Sequence, residues 1–598
     1  MRTKITIFAV ALVAMAHVNA TTPATWSVVA NGSASEKGEV AWGDYNNDGF
    51  LDLFQVTNNV FALYNNNGNE TFTNVASSKF SAPLSGGVQQ AMATFLDYNN
   101  DGNLDLLVSG SDGTTTQTIL YKNSGAPDYT FTIDTNNSLL GLRTGNDGNS
   151  HKFLSAVDYN NDGWVDLFME GWSDALNARI VTLYKNVAGT FVRQITPVGG
   201  TTDFEGMSGG SLHTGDVNHD GFVDMISAGY SVNGSYATML YLNQGNGTFV
   251  RSSAAFTGVE QGEAVLFDSN NDGWLDVFVA GVGYEGGWAW PGSLYLNNQD
   301  GTFTLMASGT NLPGGTQGYT GFASGDTNND GKTDLMVMLP SGENTAMYYN
   351  NGDNTFLKDV LPVAVRARAG SMDLADFNND NKLDYFLFGY NDNLSWLGVF
   401  VKNTTDIANL APGIPANISS STVNGKHVIT WDKSTDDITP QNAIRYNVYV
   451  QDQAGKVYVY APANITTGRL KTGSLTLLNK NEFILDLPAG QYTVGVQAVD
   501  QANVASAFSS IGLSITTKID NAISSKVDLK VINKKIEIQN NGSQNVHVAL
   551  MSLSGQTLFT GLCDAGSQIV IPMVLNRGVY MVKLSEDNMV KTMKISIL

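Results

Sequence analysis

Between residues 40 and 405 the chain is built from short apolar runs set at regular intervals among polar turns. A polar nine-residue segment, D-x-N-x-D-G-x-x-D, begins at Asp44, Asp97, Asp158, Asp216, Asp268 and Asp326, and recurs at Asp376 with Asn381 in place of the glycine. An apolar run such as LSAV or AVLF leads into it, and an apolar strand such as LFQV, LLVS or VFVA leads out. Further along comes LYNN at Leu63, LYKN at Leu120 and Leu183, LYLN at Leu240 and Leu294, or MYYN at Met347. A Thr-aromatic pair also recurs seven times, first at Thr25-Trp26 and last at Thr355-Phe356. Each repeat of 50–61 residues thus offers about four short strands, the period of a propeller blade.

The Trp26 strand precedes the first polar loop, whereas the seventh repeat stops at VFVKN without a Thr-aromatic strand of its own. The N-terminal strand is therefore expected to complete the last blade and cover an open edge. A linear solenoid would call for capping repeats, and none is seen. Residues 21–405 are read as a seven-bladed β-propeller.

The pattern changes after the Pro-containing stretch Asn409–Ile418. HVITWD, IRYNVYVQD, FILDLP and QYTVGVQAVD alternate with period two, which predicts the half-buried strands of a small sandwich over residues 406–517, with Trp431 in its core. Residues 526–598 repeat the pattern in LKVINKKIEIQN, NVHVALMSLSGQTLFTG and RGVYMVKLSED. The fold class expected is all-β, a seven-bladed propeller followed by two small β-sandwich domains.

Residues 1–20 join a basic start, Arg2 and Lys4, to an apolar stretch and a small-residue end, Val18-Asn19-Ala20. The apolar stretch is too short to span a bilayer, so it reads as a cleaved export signal. A secreted or outer-membrane surface location follows. The formal charge of −22 argues against nucleic acid or an anionic membrane as partner, because both need a basic footprint. Cys563 is the one cysteine, so no internal disulfide and no cysteine-built metal site can brace the fold.

The polar loops supply another brace. Positions 1, 3, 5 and 9, with the backbone carbonyl of position 7, surround one centre. The sets are Asp44, Asn46, Asp48, Phe50 and Asp52; Asp97, Asn99, Asp101, Asn103 and Asp105; Asp158, Asn160, Asp162, Trp164 and Asp166; Asp216, Asn218, Asp220, Phe222 and Asp224. The other three are Asp268, Asn270, Asp272, Trp274 and Asp276; Asp326, Asn328, Asp330, Lys332 and Asp334; and Asp376, Asn378, Asp380, Lys382 and Asp384. All are hard oxygen donors, the choice of calcium. Position 6 needs φ > 0, hence its glycine. No loop carries Glu at position 12, so the position-9 aspartate would be the bidentate ligand. Asx-rich turns without metal are the alternative, but three unneutralised aspartates would repel one another in every copy. About seven calcium ions are expected. His219, at position 4, points outward and is not counted.

In an up-and-down blade the loops after the second strand lie on the opposite face. Those loops carry Trp172, Tyr230, Tyr284, Trp288, Trp290 and Tyr390, aromatic side chains suited to stacking on sugar rings or packing on a protein, or else to folding back over the blade tips. Enzyme chemistry has little support: the histidines are dispersed, and no nucleophile elbow or phosphate loop occurs. Glu170, Asp174, Glu205, Glu263 and Glu285 are nonetheless placed to reach the aromatic face, so a carboxylate pair for sugar chemistry stays open.

The loops resemble the FG-GAP/VCBS repeats of integrin α-subunit propellers and many bacterial surface proteins, over roughly residues 23–405. Trp431, Tyr446 and Tyr492 are similar to the fibronectin type III pattern. SLSGQTL, RGVYMVKL and the last basic-apolar strand look like the C-terminal sorting domain of type IX secretion substrates in Bacteroidetes, although Leu575-Asn576-Arg577-Gly578 replaces that family's usual Pro-x-Gly. The resemblances imply a monomeric, calcium-stabilised surface protein that binds a glycan or an extracellular protein and is exported by the type IX machinery. A carbohydrate-active enzyme and a purely structural surface component are the rival expectations.

Overall fold

The computed structural model describes residues 21–33, 38–81, 88–144, 152–195, 204–282, 292–306, 309–313, 321–338, 345–361, 365–391, 396–423, 426–473, 475–488, 490–515, 527–532, 534–552, 556–573, 575, 578–586 and 589–597. Among these the regular structure is strand, apart from one four-residue helix, Ala76–Lys79.

Seven four-stranded antiparallel sheets follow one another along residues 26–403. The first runs Glu39–Gly43, Asp52–Val56, Phe61–Asn66 and Phe72–Asn74. In each sheet the polar loop joins the first two strands, and its position-9 aspartate is the first residue of the second strand. The seventh sheet sets Val365–Ala375, Asp384–Asn391 and Trp396–Asn403 beside Trp26–Gly32, with Trp26 opposite Asn403. Innermost strands pack edge on edge from sheet to sheet, and Val365–Ala375 returns against Glu39–Gly43. Repeated sheets of this kind are the arrangement of a β-propeller.

Apolar layers between neighbouring sheets form the core. One of them joins Val40, Trp42 and Leu53 of the first sheet to Phe386, Phe388 and Phe400 of the seventh. The Thr-aromatic motif has its reason here. Four of these aromatics lie at the start of an outer strand and pack on the position-2 ring of the preceding sheet's loop: Phe72 on Phe377 at 5.4 Å, Phe131 on Tyr45 at 5.9 Å, Phe191 on Tyr98 at 6.1 Å and Phe249 on Tyr159 at 5.9 Å.

Residues 419–515 form a three-stranded sheet, Ser419–Val423, Lys426–Thr430 and Glu482–Leu485, and a four-stranded one around Arg445–Asp452 and Gly490–Val499. Trp431 is buried between them, edge-on to Tyr446 at 5.2 Å. The chain divides into two compact units, one of residues 1–487 with 491–513, the other of 488–490 with 514–598. The latter holds a three- and a four-stranded sheet around Ile536, Val548, Leu550, Val582 and the buried Cys563.

Candidate functional site

The polar loops share one backbone design. Position 4 is left-handed in all seven, with φ between 54° and 61°. The position-1 carboxylate accepts from the N–H groups of positions 5 and 6, as Asp44 does from Asp48 at 3.0 Å and Gly49 at 3.1 Å. The position-9 carboxylate is fully buried and accepts from the backbone N–H of the third-strand asparagine, as Asp52 does from Asn66 at 2.8 Å and Asp224 from Asn243 at 2.8 Å. Burial first, and the neighbouring aspartate second, push Asp44 up to about 6 and Asp158 and Asp216 to about 7. Burial also lifts Asp52 and Asp105 well above the carboxylate range, and the Oδ2 atom of each is buried without a hydrogen-bond partner. Oxygen donors gathered against their own charge, with orphaned buried atoms among them, fit a hard divalent cation by the chemistry of the set. Among the described residues no three Asp, Glu, His or Cys side chains already form a tight metal cage. The position-3 amide reaches across to the position-5 carboxylate instead, as from Asn46 to Asp48 at 2.9 Å and Asn218 to Asp220 at 3.0 Å.

Two asparagines per repeat do work that the motif did not disclose. The third-strand asparagine donates to position 8 of its own loop and to position 2 of the preceding one. Asn243 reaches Val223 O at 3.1 Å and Tyr159 O at 2.7 Å. Asn66, Asn123, Asn186, Asn297, Asn350 and Asn403 make the same inter-sheet bond, to Phe377, Tyr45, Tyr98, Val217, Ser269 and Thr327. Of the position-4 asparagines, Asn47 donates to Asn103 Oδ1 and Asn329 to Ile407 O. The other four donate to the position-6 carbonyl of the next loop: Asn100 to Gly163, Asn161 to Gly221, Asn271 to Gly331 and Asn379 to Gly49, at 2.7–3.0 Å. His219 Nε2 makes that contact to Gly273 O at 3.1 Å, with its ring stacked on Trp274 at 3.8 Å. The recurrence of Asn at both positions was the available signal.

The loop end of the ring is covered by residues 406–513. Asp44 N donates to Lys471 O at 2.9 Å, and Asp326 N to Gln501 O at 2.8 Å. Beneath this cover a cavity of about 230 Å³ lies among the innermost strands, walled by Lys152, His213 and Asp373 and by Arg445, Thr472 and Gln501. Lys152 pairs with Asp373 at 3.6 Å and His213 with Glu263 at 3.4 Å. Nearby, Glu39 accepts from Ser371 at 2.7 Å, and burial pushes its carboxyl up to about 8.

At the far end of the second strands Asp166–Ser173 and Asp224–Ser231, Trp172 and Tyr230 flank one cation. The Arg179 guanidinium lies 5.6 Å from the Trp172 ring and 4.4 Å from the Tyr230 ring. Trp172 Nε1 donates to Asp174 at 2.9 Å, and Asp174 pairs with Arg143 at 3.6 Å. Glu205 pairs with Arg251 at 3.4 Å and accepts from Asn233 at 2.7 Å. Tyr390 opposes Trp396 across the seventh sheet, while Tyr284, Trp288, Trp290 and Glu285 lie outside the described residues. Two expected carboxylates do not reach this face. Glu170 faces the neighbouring sheet, where it is wholly buried and accepts from Ser227 at 2.6 Å, and Glu263 turns to the axis against His213.

No curated protein matches this chain in sequence. Among solved structures the chain is similar to a lectin of Agrocybe aegerita described as recognising non-reducing terminal N-acetylglucosamine, at 19% identity and a TM-score of 0.37, over 55% of this chain and 80% of that one. It is similar also to the exotype rhamnogalacturonan lyase YesX, at 12% identity and a TM-score of 0.35, over 63% of this chain and 75% of that one. The FG-GAP-like repeat family matches residues 44–108, 97–169, 158–227, 216–279 and 268–337. Each match opens at position 1 of one polar loop and closes in the strand after the next, so the chain carries five FG-GAP-like repeats between residues 44 and 337.

Proposed function

We propose that this is an exported binding protein whose seven sheets are the blades of one closed propeller and whose face opposite the polar loops recognises a glycan or an extracellular protein. The arrangement of Trp172, Arg179 and Tyr230 carries this reading. Two aromatic faces held by one guanidinium, with carboxylates and amides at the rim, offer stacking and directional hydrogen bonds together, while the other end of the ring is taken by the chain's own residues. In this reading positions 1, 3, 5, 7 and 9 of each loop hold calcium, which supplies the countercharge for the aspartates. Residues 406–517 act as a fibronectin type III-like module and residues 526–598 as a type IX sorting domain.

A glycan and extracellular-protein array probed with the full chain in millimolar calcium tests the recognition. Replacing Trp172 or Tyr230 by alanine is expected to weaken the captured ligand at least tenfold without moving the melting temperature. Binding untouched by both changes would place recognition elsewhere. Turnover of a bound glycan would favour an enzyme.

A further inference from the structure

All seven loops touch residues 406–513. In the first, Arg469 Nη1 donates to Gly49 O at 3.2 Å, and Gly43 bridges Thr472. In the second, Lys471 Nζ donates to Gly102 O at 2.9 Å. The third receives the Asp486 N–H on Asn161 O at 3.3 Å, and Lys456 lies 3.9 Å over the Trp164 ring. The fourth holds Lys480 Nζ on His219 O at 3.2 Å and Lys426 at 4.9 Å over Phe222. A Cβ on Gly273 of the fifth would stand 2.5 Å from Asn442 O, and one on Gly331 of the sixth 2.5 Å from Ile438 O. The sixth also donates from Thr333 Oγ1 to Gln501 Oε1 at 2.9 Å, and in the seventh Asn381 Nδ2 reaches Asn409 O at 3.1 Å.

Basic side chains supply part of the fit, although residues 406–513 also carry eight acidic ones. Residues 406–513 contain seven basic side chains: Lys426, Lys433, Arg445, Lys456, Arg469, Lys471 and Lys480. Five of them reach a carbonyl or ring of the propeller repeats directly. Of the other two, Arg445 donates to Asp500 O and Asn503 and Lys433 to Asn442, all within residues 406–513. Arg469 and Lys471 engage position-6 carbonyls and Lys480 a position-4 carbonyl, while the charges of Lys471 and Lys480 also bear on Asp44, Asp97, Asp101 and Asp220. Those carbonyls alternate with the side chains and position-7 carbonyl assigned to calcium, so both sets of partners use one loop conformation without sharing an atom.

We propose that loading of the loops with calcium and docking of residues 406–513 are one coupled equilibrium: the loaded loops present the carbonyls on which the second domain sits, and that domain shields the loops and closes the axial cavity. The proposal rests on the calcium reading above. Linkage makes it reciprocal: the factor by which docking raises calcium affinity is the factor by which calcium favours docking.

Calcium binding to the full chain is followed by calorimetry, and docking by hydrogen exchange of segments 438–445, 456–460 and 469–473, in calcium and in chelator. Exchange in those segments is expected to rise at least tenfold in chelator, while Ile536–Val548 of the other compact unit stays unchanged. Gln501→Ala, which removes an uncharged docking contact to Thr333, is expected to lower calcium affinity at the sixth loop about fivefold, the lower end of typical coupling. Calcium binding with unchanged protection of the three segments overturns the coupling and leaves the calcium reading standing. No calcium binding at all overturns both.

Discussion

Asn243 shows how one residue type braces a ring that has no disulfide. Its amide donates to a carbonyl of its own loop and to one of the neighbouring sheet, with no exposed surface to spare. Replacing it by alanine leaves two buried carbonyls without donors, at roughly 1–3 kcal/mol each. Urea unfolding of Asn243→Ala is therefore expected to show a loss of about 2–6 kcal/mol, and a loss below about 0.5 kcal/mol, the scale of an ordinary surface change, would refute the brace. Glu39 makes a second residue-scale case. Its folded carboxyl, raised to about 8 by burial, keeps a proton that the unfolded chain releases near 4.5. Stability is thus full below the unfolded value and falls as pH rises from 4.5 through 8. Lys152, Asp373 and Ser371 face the same group, and the charge of Lys152 moderates the fall. With calcium saturating the loops, Glu39→Gln is expected to flatten the pH profile of the melting temperature between 5 and 8, and a variant with an unchanged slope would refute this assignment. At this scale the sequence was only half legible. Oxygen donors announce themselves by type, but the partners of Asn100 or Asn243 are backbone carbonyls of other repeats, which any residue carries.

Elements were more readable than residues. The order of loop, second strand, LYxN strand and Thr-aromatic strand predicted each four-stranded sheet, because the loop's aspartates and glycine admit one backbone path and the alternating strands admit one buried face. The seventh loop departs from the others, since Asn381 takes position 6 with φ 64°, against 81° to 91° for the glycines. Its side chain ties the loop to Asn409, so the departure also serves the contact with residues 406–513. Calcium removal tests the loops as elements. At millimolar calcium and a Kd of about 10⁻⁴ M, each site contributes roughly 1.4 kcal/mol. Chelator is therefore expected to lower the melting temperature of the full chain strongly, with the loop-bearing sheets losing exchange protection before the second compact unit does. A melting curve indifferent to chelator would leave the loops as metal-free Asx turns.

Across the molecule the strands that begin at loop aspartates end at the candidate ligand face. How residues 406–513 cover the loop end was not legible in the sequence, because the contacts are scattered lysines against carbonyls and follow no spacing. The far end was legible as an aromatic inventory, yet Glu170 and Glu263 turned inward, one to a neighbouring sheet and one to the axis. The strand Asp166–Ser173 joins the third loop to Trp172, whereas Asp276–Val282 starts from the fifth loop and carries neither Trp172 nor Tyr230. Asp166 accepts from Asn186 N at 2.6 Å and Tyr159 N at 3.2 Å; Asp276 accepts from Asn297 N at 2.8 Å and Ser269 N at 3.0 Å. Alanine at either position orphans two buried N–H groups, and at 276 also the Ser269 hydroxyl, so Asp276→Ala should lower stability at least as much as Asp166→Ala, which is expected to cost about 2–6 kcal/mol. Ligand binding measured well below the melting transition should separate them. Asp166→Ala is expected to weaken binding several-fold, because the strand that positions Trp172 loses its anchored start. Asp276→Ala should leave binding near the parent value. Equal losses in the two variants would mean that ligand affinity tracks overall stability, and the assignment of the ligand face to Trp172 and Tyr230 would lose its structural basis.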